Sequence, residues 1–221
     1  MAVIAVTGLR AEARIARRAG FSIVCAGGIP AHTAAALGQA VGGGAATGLV
    51  SFGISGGLSP ALAPGTLVCA RAVIAADGTR YPTDDNWRAR MPDWSGAIDG
   101  DVFGSDAIVG TAAEKAALHA RTGAVAVDLE SGVVAQAAIR AGLPFVVIRA
   151  IADPAQHDLP AAAYVRLTPD GAPNFGKILA SVLGEPGQIP RLIRLAHDTK
   201  SALRALNRAV ATARAVLLAP R

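Results

Sequence analysis

The sequence predicts an α/β fold: a mixed, largely parallel central sheet flanked by helices, with a long basic helix at the C-terminus. Three observations carry that prediction. Residues 125–153, VAVDLESGVVAQAAIRAGLPFVVIRAIAD, have the period of a strand, then a helix, then a second strand. Short apolar runs of the same kind recur from the N-terminus onward, several of them followed by helical spacing. The chain of 221 residues is 52% hydrophobic and only 4% aromatic, which suits a core packed with alanine and small aliphatic side chains.

Taken in order, Ala2 to Val6 forms the first strand and Leu9 to Arg18 the first helix, with Gly8 between them. Phe21 to Ala26 is the second strand. It enters Gly27-Gly28-Ile29-Pro30 and then a helix from Ala31 to Val41. Leu49 to Gly53 is a third strand, ending in a glycine-rich turn, FGISGGLSPAL, and Thr66 to Ile74 is the next. Residues 76–103 become polar, hold both tryptophans and read as a long irregular loop. Trp87, Trp94 and Tyr81 there are either pocket walls or anchors of the loop. Ala107 to Val109 is a short strand and Ala112 to Arg121 a helix. Val125 to Val127 opens the central unit. Ser131 to Arg140 carries an apolar stripe at Val133, Val134, Ala137 and Ala138, and Gly142 stops it. Leu143 to Ile151 is dense in β-branched residues, as in a strand buried on both faces. Lys177 to Leu183 is a short helix. Pro186 and Pro190 bracket a hinge. From Ile189 or Arg191 to Leu218 runs one long helix, with Leu192, Leu195, Leu203, Leu206, Val210, Ala213 and Leu217 recurring on its apolar side. The chain divides into an α/β domain, residues 1–188, and a basic amphipathic helix, residues 189–221.

Charge narrows the partners. The net charge is +5, yet residues 189–221 alone contribute seven basic residues against Asp198, so the rest of the chain is close to neutral. A near-neutral body is not a nucleic-acid binder. The basic helix has three readings: docking on its own domain, packing in a dimer, or lying on an anionic membrane surface. No apolar run has the length of a membrane span, and MAVIAVTG lacks a secretory leader's pattern, so a cytoplasmic location is expected. Cys25 and Cys69 lie inside apolar runs and are expected as buried free thiols, without zinc-ligand spacing.

Two carboxylates stand just beyond strand ends, Glu130 and Asp153, where open α/β sheets bind ligands. A third, Glu12, falls in the first helical turn after strand one. Each also has a plain structural reading: Glu12 as an acid favoured by the helix dipole, Glu130 as a helix-opening acid, Asp153 as a turn acid. Gly27-Gly28 is either a cradle for an anion or sugar hydroxyl, or a tight strand-to-helix turn. His32, at the start of that helix, reads as a capping or surface residue. Gly53, Gly56 and Gly57 allow close backbone approach, with Ser55 among them, but the run lacks the Gly-Lys-Ser/Thr ending of a nucleotide P-loop.

Together, AVDLESGVVAQAA, LPFVVIRAIADPA, TGLRAEARI and FGISGGLSPALAPGTLV resemble the signature of the purine nucleoside phosphorylase/uridine phosphorylase family. Within it, the chain is similar to the methylthioadenosine/adenosylhomocysteine nucleosidases. Its C-terminal part looks more narrowly like the hopanoid-associated phosphorylases, implicated in removing adenine from adenosylhopane. The resemblance covers roughly residues 1–155 and implies a nucleoside phosphorylase-like fold. By position it implies that Asp153 protonates N7 of the purine, Glu130 binds the ribose hydroxyls and Glu12 activates the attacking water. Leu129 and Ile108 or Val109 would pack on base or sugar, and Gly53 with the Ser55 turn would approach the nucleophile. It implies no cofactor, with phosphate as an alternative co-substrate to water and Arg10 as a substitute phosphate ligand. It further implies a nucleoside substrate, lipid-linked if it is adenosylhopane, a homodimer, and peripheral contact with the inner membrane face through residues 189–221. Phosphorolysis and methylthioadenosine/adenosylhomocysteine cleavage remain the alternative activities. A non-catalytic nucleoside-binding protein is the alternative of another class.

The chemistry suits these residue types. A purine leaves a sugar readily only when a ring nitrogen takes a proton, which asks for a carboxylic acid kept neutral by burial. Asp153, after Phe145, Val146, Val147 and Ile148, has the sequence context for that. An ionised Glu130 would favour positive charge growing on the sugar, and Glu12 would serve as base on the opposite face.

Overall fold

The computed structural model describes residues 2–91, 96–165 and 167–219. Trp94, one of the candidate pocket residues, lies outside the described residues. One sheet contains β1 (Ala2–Thr7), β2 (Ser22–Cys25), β3 (Ala46–Gly57), β4 (Leu67–Ala75), β5 (Arg80–Pro82), β6 (Ile98–Gly104), β7 (Ala126–Asp128) and β8 (Phe145–Asp153). Around it pack α1 (Arg10–Arg18), α2 (Pro30–Gly42), α3 (Asp85–Ala89), α4 (Ala112–Thr122), α5 (Ser131–Ala141), α6 (Phe175–Gly184) and α7 (Ile189–Leu217).

β3 is the spine. It runs parallel to β1 and β8 and, at Gly56 and Gly57, antiparallel to β7. β8 also pairs antiparallel with β4, β4 parallel with β6, and β6 parallel with β7. These pairings close a ring through β3, β8, β4, β6 and β7, with β2 and β1 as an open wing. The sheet is thus mixed and largely parallel, as the sequence predicts.

Every residue of β8 is buried, in keeping with its dense apolar sequence. Alternation sends its side chains to two faces. Val146, Ile148, Ala150 and Ala152 join Ala16 of α1 and Ala202, Leu206, Val210 and Ala213 of α7 in one core. Phe145, Val147 and Ile151 join Leu37 of α2 and Val134, Ala135 and Ala138 of α5 in the other. Each such aliphatic side chain removed from water contributes roughly 1.5–3 kcal/mol before chain entropy is charged against it. α7 therefore docks on its own sheet from Ala202 onward, while Ile189 and Ile193 in its first turns stay exposed.

Four sequence expectations are corrected. The run FGISGG is not a turn but the second half of β3. Its glycines are there for approach, not for unusual dihedrals: a Cβ on Gly56 would meet Val127 at 3.2 Å, and one on Gly57 would meet Ile151 at 3.3 Å. Residues 76–103 are not one irregular loop, since they contain β5, α3 and β6. Asp84 caps α3 by accepting from Trp87 N, and Trp87 is a core residue packed over Gly48, not a pocket wall. Tyr81 likewise packs on the core from β5. Ala107 to Val109 is not a strand, because β6 ends at Gly104 and supplies the β7 neighbour instead. Cys25 and Cys69 are free but only partly buried.

Candidate active site

Three acids and one arginine meet where β1 ends, β3 passes and β7 turns into α5. Glu12 lies in the first turn of α1, so its carboxylate points back at the chain entering the helix. Oε2 accepts from Gly8 N at 3.0 Å and Leu9 N at 2.8 Å, and Oε1 accepts from Ile54 N at 2.8 Å. The residue therefore holds the start of α1 and also reaches β3.

Glu130 arrives by topology. β7 runs against β3, so the chain leaving β7 returns toward Gly53 instead of continuing past Gly57. Asp128, the last residue of β7, holds the start of α5: its Oδ1 accepts from Glu130 N at 2.9 Å and Ser131 N at 2.7 Å. Glu130 occupies the cap position but makes no side-chain cap bond. Its carboxylate is thereby released toward Gly8 and Gly28. A Cβ on Gly8 would stand 2.4 Å from Glu130 Oε1, and one on Gly28 would stand 3.5 Å from it. The close approach fixes glycine at position 8. Gly27 and Gly28 both have positive φ, so they form the strand-to-helix turn and also floor the Glu130 pocket.

The organiser is Arg149, which sequence reasoning passed over as one letter in an apolar run. It is 0% exposed. Its Nε lies 2.8 Å from Asp128 Oδ2. Its Nη2 donates to Ser51 Oγ at 2.6 Å, to Glu130 Oε2 at 3.2 Å and to Ser131 Oγ at 3.2 Å, and Nη1 reaches Ile54 O at 3.3 Å. Gly53 faces Arg149 across the β3–β8 pairing. A Cβ there would lie 2.6 Å from Glu12 Oε1 and 2.7 Å from Arg149 Nη1. The available signal was the arginine itself: a guanidinium inside a buried strand must be met by acids and hydroxyls. Asp128, Ser51 and Ser131 are those partners.

Asp153 stands apart, at the end of β8. It pairs with Gly56, three residues beyond Gly53 on β3 and so roughly 10 Å further along at strand rise. Its partner is a second missed cation, Lys115 on α4, also 0% exposed, with Nζ 2.5 Å from Asp153 Oδ2. A cleft of about 170 Å³ opens beside Asp153 between the segment 156–160 and the first turns of α7, with Arg191, Arg194 and Asp198 on its far wall. Glu12 and Glu130 do not line it.

Of the other expected site residues, Leu129 borders Gly28, with Cδ1 at 3.6 Å from a Cβ built there. Ser55 is buried on β3, and its Oγ has no partner among the described residues. Val109 packs on Leu58, Phe103 and Leu118, and Ile108 is exposed. His32 is exposed on α2. Arg10 is not free for a phosphate, because it forms an ion pair with Asp170.

Burial and charge set the proton affinities. Around Arg149 there are more acids than cations. Burial raises Glu130 to about 7, with Asp128 and Glu12 adding to the rise and Arg149 opposing it. Burial also raises Glu12, against Arg149 and the three amides. Asp153 is raised by burial, with Lys115 opposing. The arrangement can therefore hold a proton on a carboxyl near neutral pH and accept hydroxyl donors at another.

Comparison with known proteins shows the family and the fold. A family model described as the phosphorylase superfamily matches residues 14–102 and 98–184. Futalosine hydrolase of Streptomyces coelicolor is 33% identical over 160 residues, 61% of this chain and 68% of that protein. Among solved structures, a 5′-methylthioadenosine/S-adenosylhomocysteine nucleosidase of Colwellia psychrerythraea in complex with adenine superimposes with a TM-score of 0.71 at 16% identity, over 97% of this chain and 95% of that one. Futalosine hydrolase of Helicobacter pylori gives 0.63 at 17% identity, over 83% and 97%. At these identities the structural likenesses establish the fold alone.

Proposed function

Because this chain belongs to the phosphorylase superfamily, we propose that it is a nucleosidase that cleaves the N-glycosidic bond of a purine nucleoside with water. The observation that carries this reading is the division of the carboxylates. Glu12 and Glu130 share Arg149, while Asp153 sits further along β3 on a cation of its own. In the reaction, Asp153 gives its proton to a ring nitrogen of the base as the C–N bond breaks and its electron pair leaves with the base. Glu130 accepts from the ribose hydroxyls and faces the positive charge that grows on the sugar. Glu12 takes a proton from the attacking water on the opposite face. Water is favoured over phosphate because Arg149 is fully buried and already paired with Asp128 and Glu130, and Arg10 is paired with Asp170.

For the substrate we propose a 5′-substituted adenosine with a bulky apolar group, adenosylhopane being the form suggested by the resemblance of the C-terminal part. The support is an apolar face on the segment that closes the chain. α6 buries none of its residues, and Phe175, Leu179 and Leu183 are 76%, 59% and 72% exposed along one stripe. Ile189 and Ile193 are exposed as well, with Lys177, Arg191 and Arg194 on the same segment. Such a face suits contact with an anionic bilayer. Among the described residues no helix is long and apolar enough to cross a membrane. A homodimer belongs to the same proposal. Futalosine is the second candidate substrate, on the strength of the 33% identical relative.

Base release measured from adenosylhopane, 5′-methylthioadenosine, adenosine and futalosine, each with and without phosphate, tests the reading. Hydrolysis without phosphate, fastest on the apolar 5′-substituted adenosine, is expected. Turnover that requires phosphate would replace it with phosphorolysis, and preference for futalosine would replace the substrate. Absence of release from all four would leave a binding protein. Sedimentation with anionic vesicles, comparing the wild type with Phe175→Ser/Leu179→Ser/Leu183→Ser, tests the membrane contact; equal binding, or none, removes it.

A further inference from the structure

Lys115 is a buried cation that the reaction above does not use. Its three ammonium protons have three acceptors: Asp153 Oδ2 at 2.5 Å, His157 O at 2.7 Å and Pro154 O at 3.2 Å. Two further bonds clamp the same stretch of chain to the start of α4. Ala112 N donates to Asp158 Oδ1 at 2.8 Å, and Leu159 N donates to Gly110 O at 2.7 Å. α4 is itself held by a reciprocal cap between Thr111 and Glu114. The residue before the acid, Ala152, offers no hydroxyl. Among the described residues Lys115 is the side chain that donates to Asp153.

We propose that Lys115 is a positioning residue for Asp153: it grips one carboxyl oxygen, leaves the other to carry the proton to the departing base, and faces the carboxylate that results. The inference rests on the nucleosidase reading and deepens it. Before transfer, the buried acid is neutral and the ammonium is satisfied chiefly by the two carbonyls. As the glycosidic bond breaks, the proton passes to the base nitrogen, Asp153 becomes anionic, and Lys115 keeps all its protons. Charge then develops directly opposite a fixed cation, which is where a prearranged donor lowers a barrier most. The other charged or titratable groups facing Asp153 are His157 on the following loop, Asp198 on α7 and, beyond them, Tyr164. Glu114 and Asp158 stand on the outer side, near Tyr164. Burial raises Asp153 and Lys115 opposes that rise. Loss of the lysine charge therefore makes the acid weaker, and the alkaline limb of the pH profile moves upward.

The test uses two substrates and three variants of the whole chain. An adenosine needs its base protonated; 4-nitrophenyl riboside loses its leaving group without a proton. Lys115→Met removes charge and donors. Lys115→Gln removes charge but keeps donors for the loop carbonyls, so it guards against simple misfolding. Lys115→Arg keeps charge. Lys115→Met and Lys115→Gln should lose about a hundredfold or more in kcat on the adenosine, move the alkaline limb upward, and stay within about threefold of wild type on the riboside. Lys115→Arg should recover most of the adenosine rate. Equal losses on both substrates, or an unmoved limb in Lys115→Gln, would overturn the positioning role and leave a loop clamp. A wild type that releases no base from any nucleoside would sink the nucleosidase reading and this inference with it, an outcome distinct from an active wild type with indifferent Lys115 variants.

Discussion

Two buried cations organise this protein, and they keep different company. Arg149 meets Asp128, Glu130 and Glu12, more acids than one guanidinium can neutralise. Lys115 meets one acid and two carbonyls, so the charges of the pair balance once that acid has given up its proton. Burial, with the surplus of acids around Arg149 adding to it, raises Glu130 to about 7, and once ionised that carboxylate accepts hydroxyl donors and faces positive charge. The balanced pair suits an acid that must give up its proton once per turnover and be met by a cation when it does. Burial is the first cause of the raised proton affinity at both carboxyls, and the cation each one meets is what differs between them.

The comparison breaks most sharply at Asp153. Asp153→Asn should lower base release by about a hundred- to ten-thousand-fold with far-UV circular dichroism unchanged; near-full turnover would end the proton-donor role. At the other cation the loss is structural. Arg149→Met strands three acids in the interior, and urea unfolding should show a loss of about 3–5 kcal/mol. A loss below about 1 kcal/mol would mean that these acids do not depend on the arginine.

The third prediction concerns pH. Glu130 is raised from 4.5 to about 7 in the folded protein, so its proton contributes stability that is full below 4.5 and gone once pH has passed 7. Glu130→Gln removes that titration. Between about pH 4 and pH 8, its stability relative to wild type should improve by on the order of 3 kcal/mol. A flat difference across that window would show that the carboxyl titrates normally. Gly53→Ala comes next: a methyl 2.6 Å from Glu12 and 2.7 Å from Arg149 should cost about 1–3 kcal/mol and lower turnover, read by thermal unfolding and base release. The smallest effect is expected at Leu179, exposed on α6. Leu179→Ser should change stability by no more than about 0.5 kcal/mol, and a larger loss would mean that α6 is held by contacts beyond those of the single chain.

Much of the scaffold was legible. β1, α1, α2, α5 and β8 have the period of their elements, and their boundaries fall within a few residues of the expectation. The glycine-rich half of β3 was not, because glycine signals a turn locally and a close approach only when its neighbours are known. β5, α3 and β6 hid in a polar stretch whose burial, through Trp87, comes from strands distant in sequence. Asp153, Glu12 and Glu130 stood out as carboxylates near strand ends. Arg149 and Lys115 did not, since each sits in a segment whose pattern is satisfied without it.

The sequence by itself determined the periodic elements β1, α1, α2, α5 and β8, the two-faced burial of β8, and which acids stand at strand ends, because these depend on near-neighbour periodicity. The tertiary structure alone decided which cation each acid meets. β7 runs against β3 and thereby returns Glu130 to Gly53, and Lys115 reaches from α4 to Asp153 at the end of β8. Those meetings join residues far apart in the chain, and only the closing of the sheet brings them together.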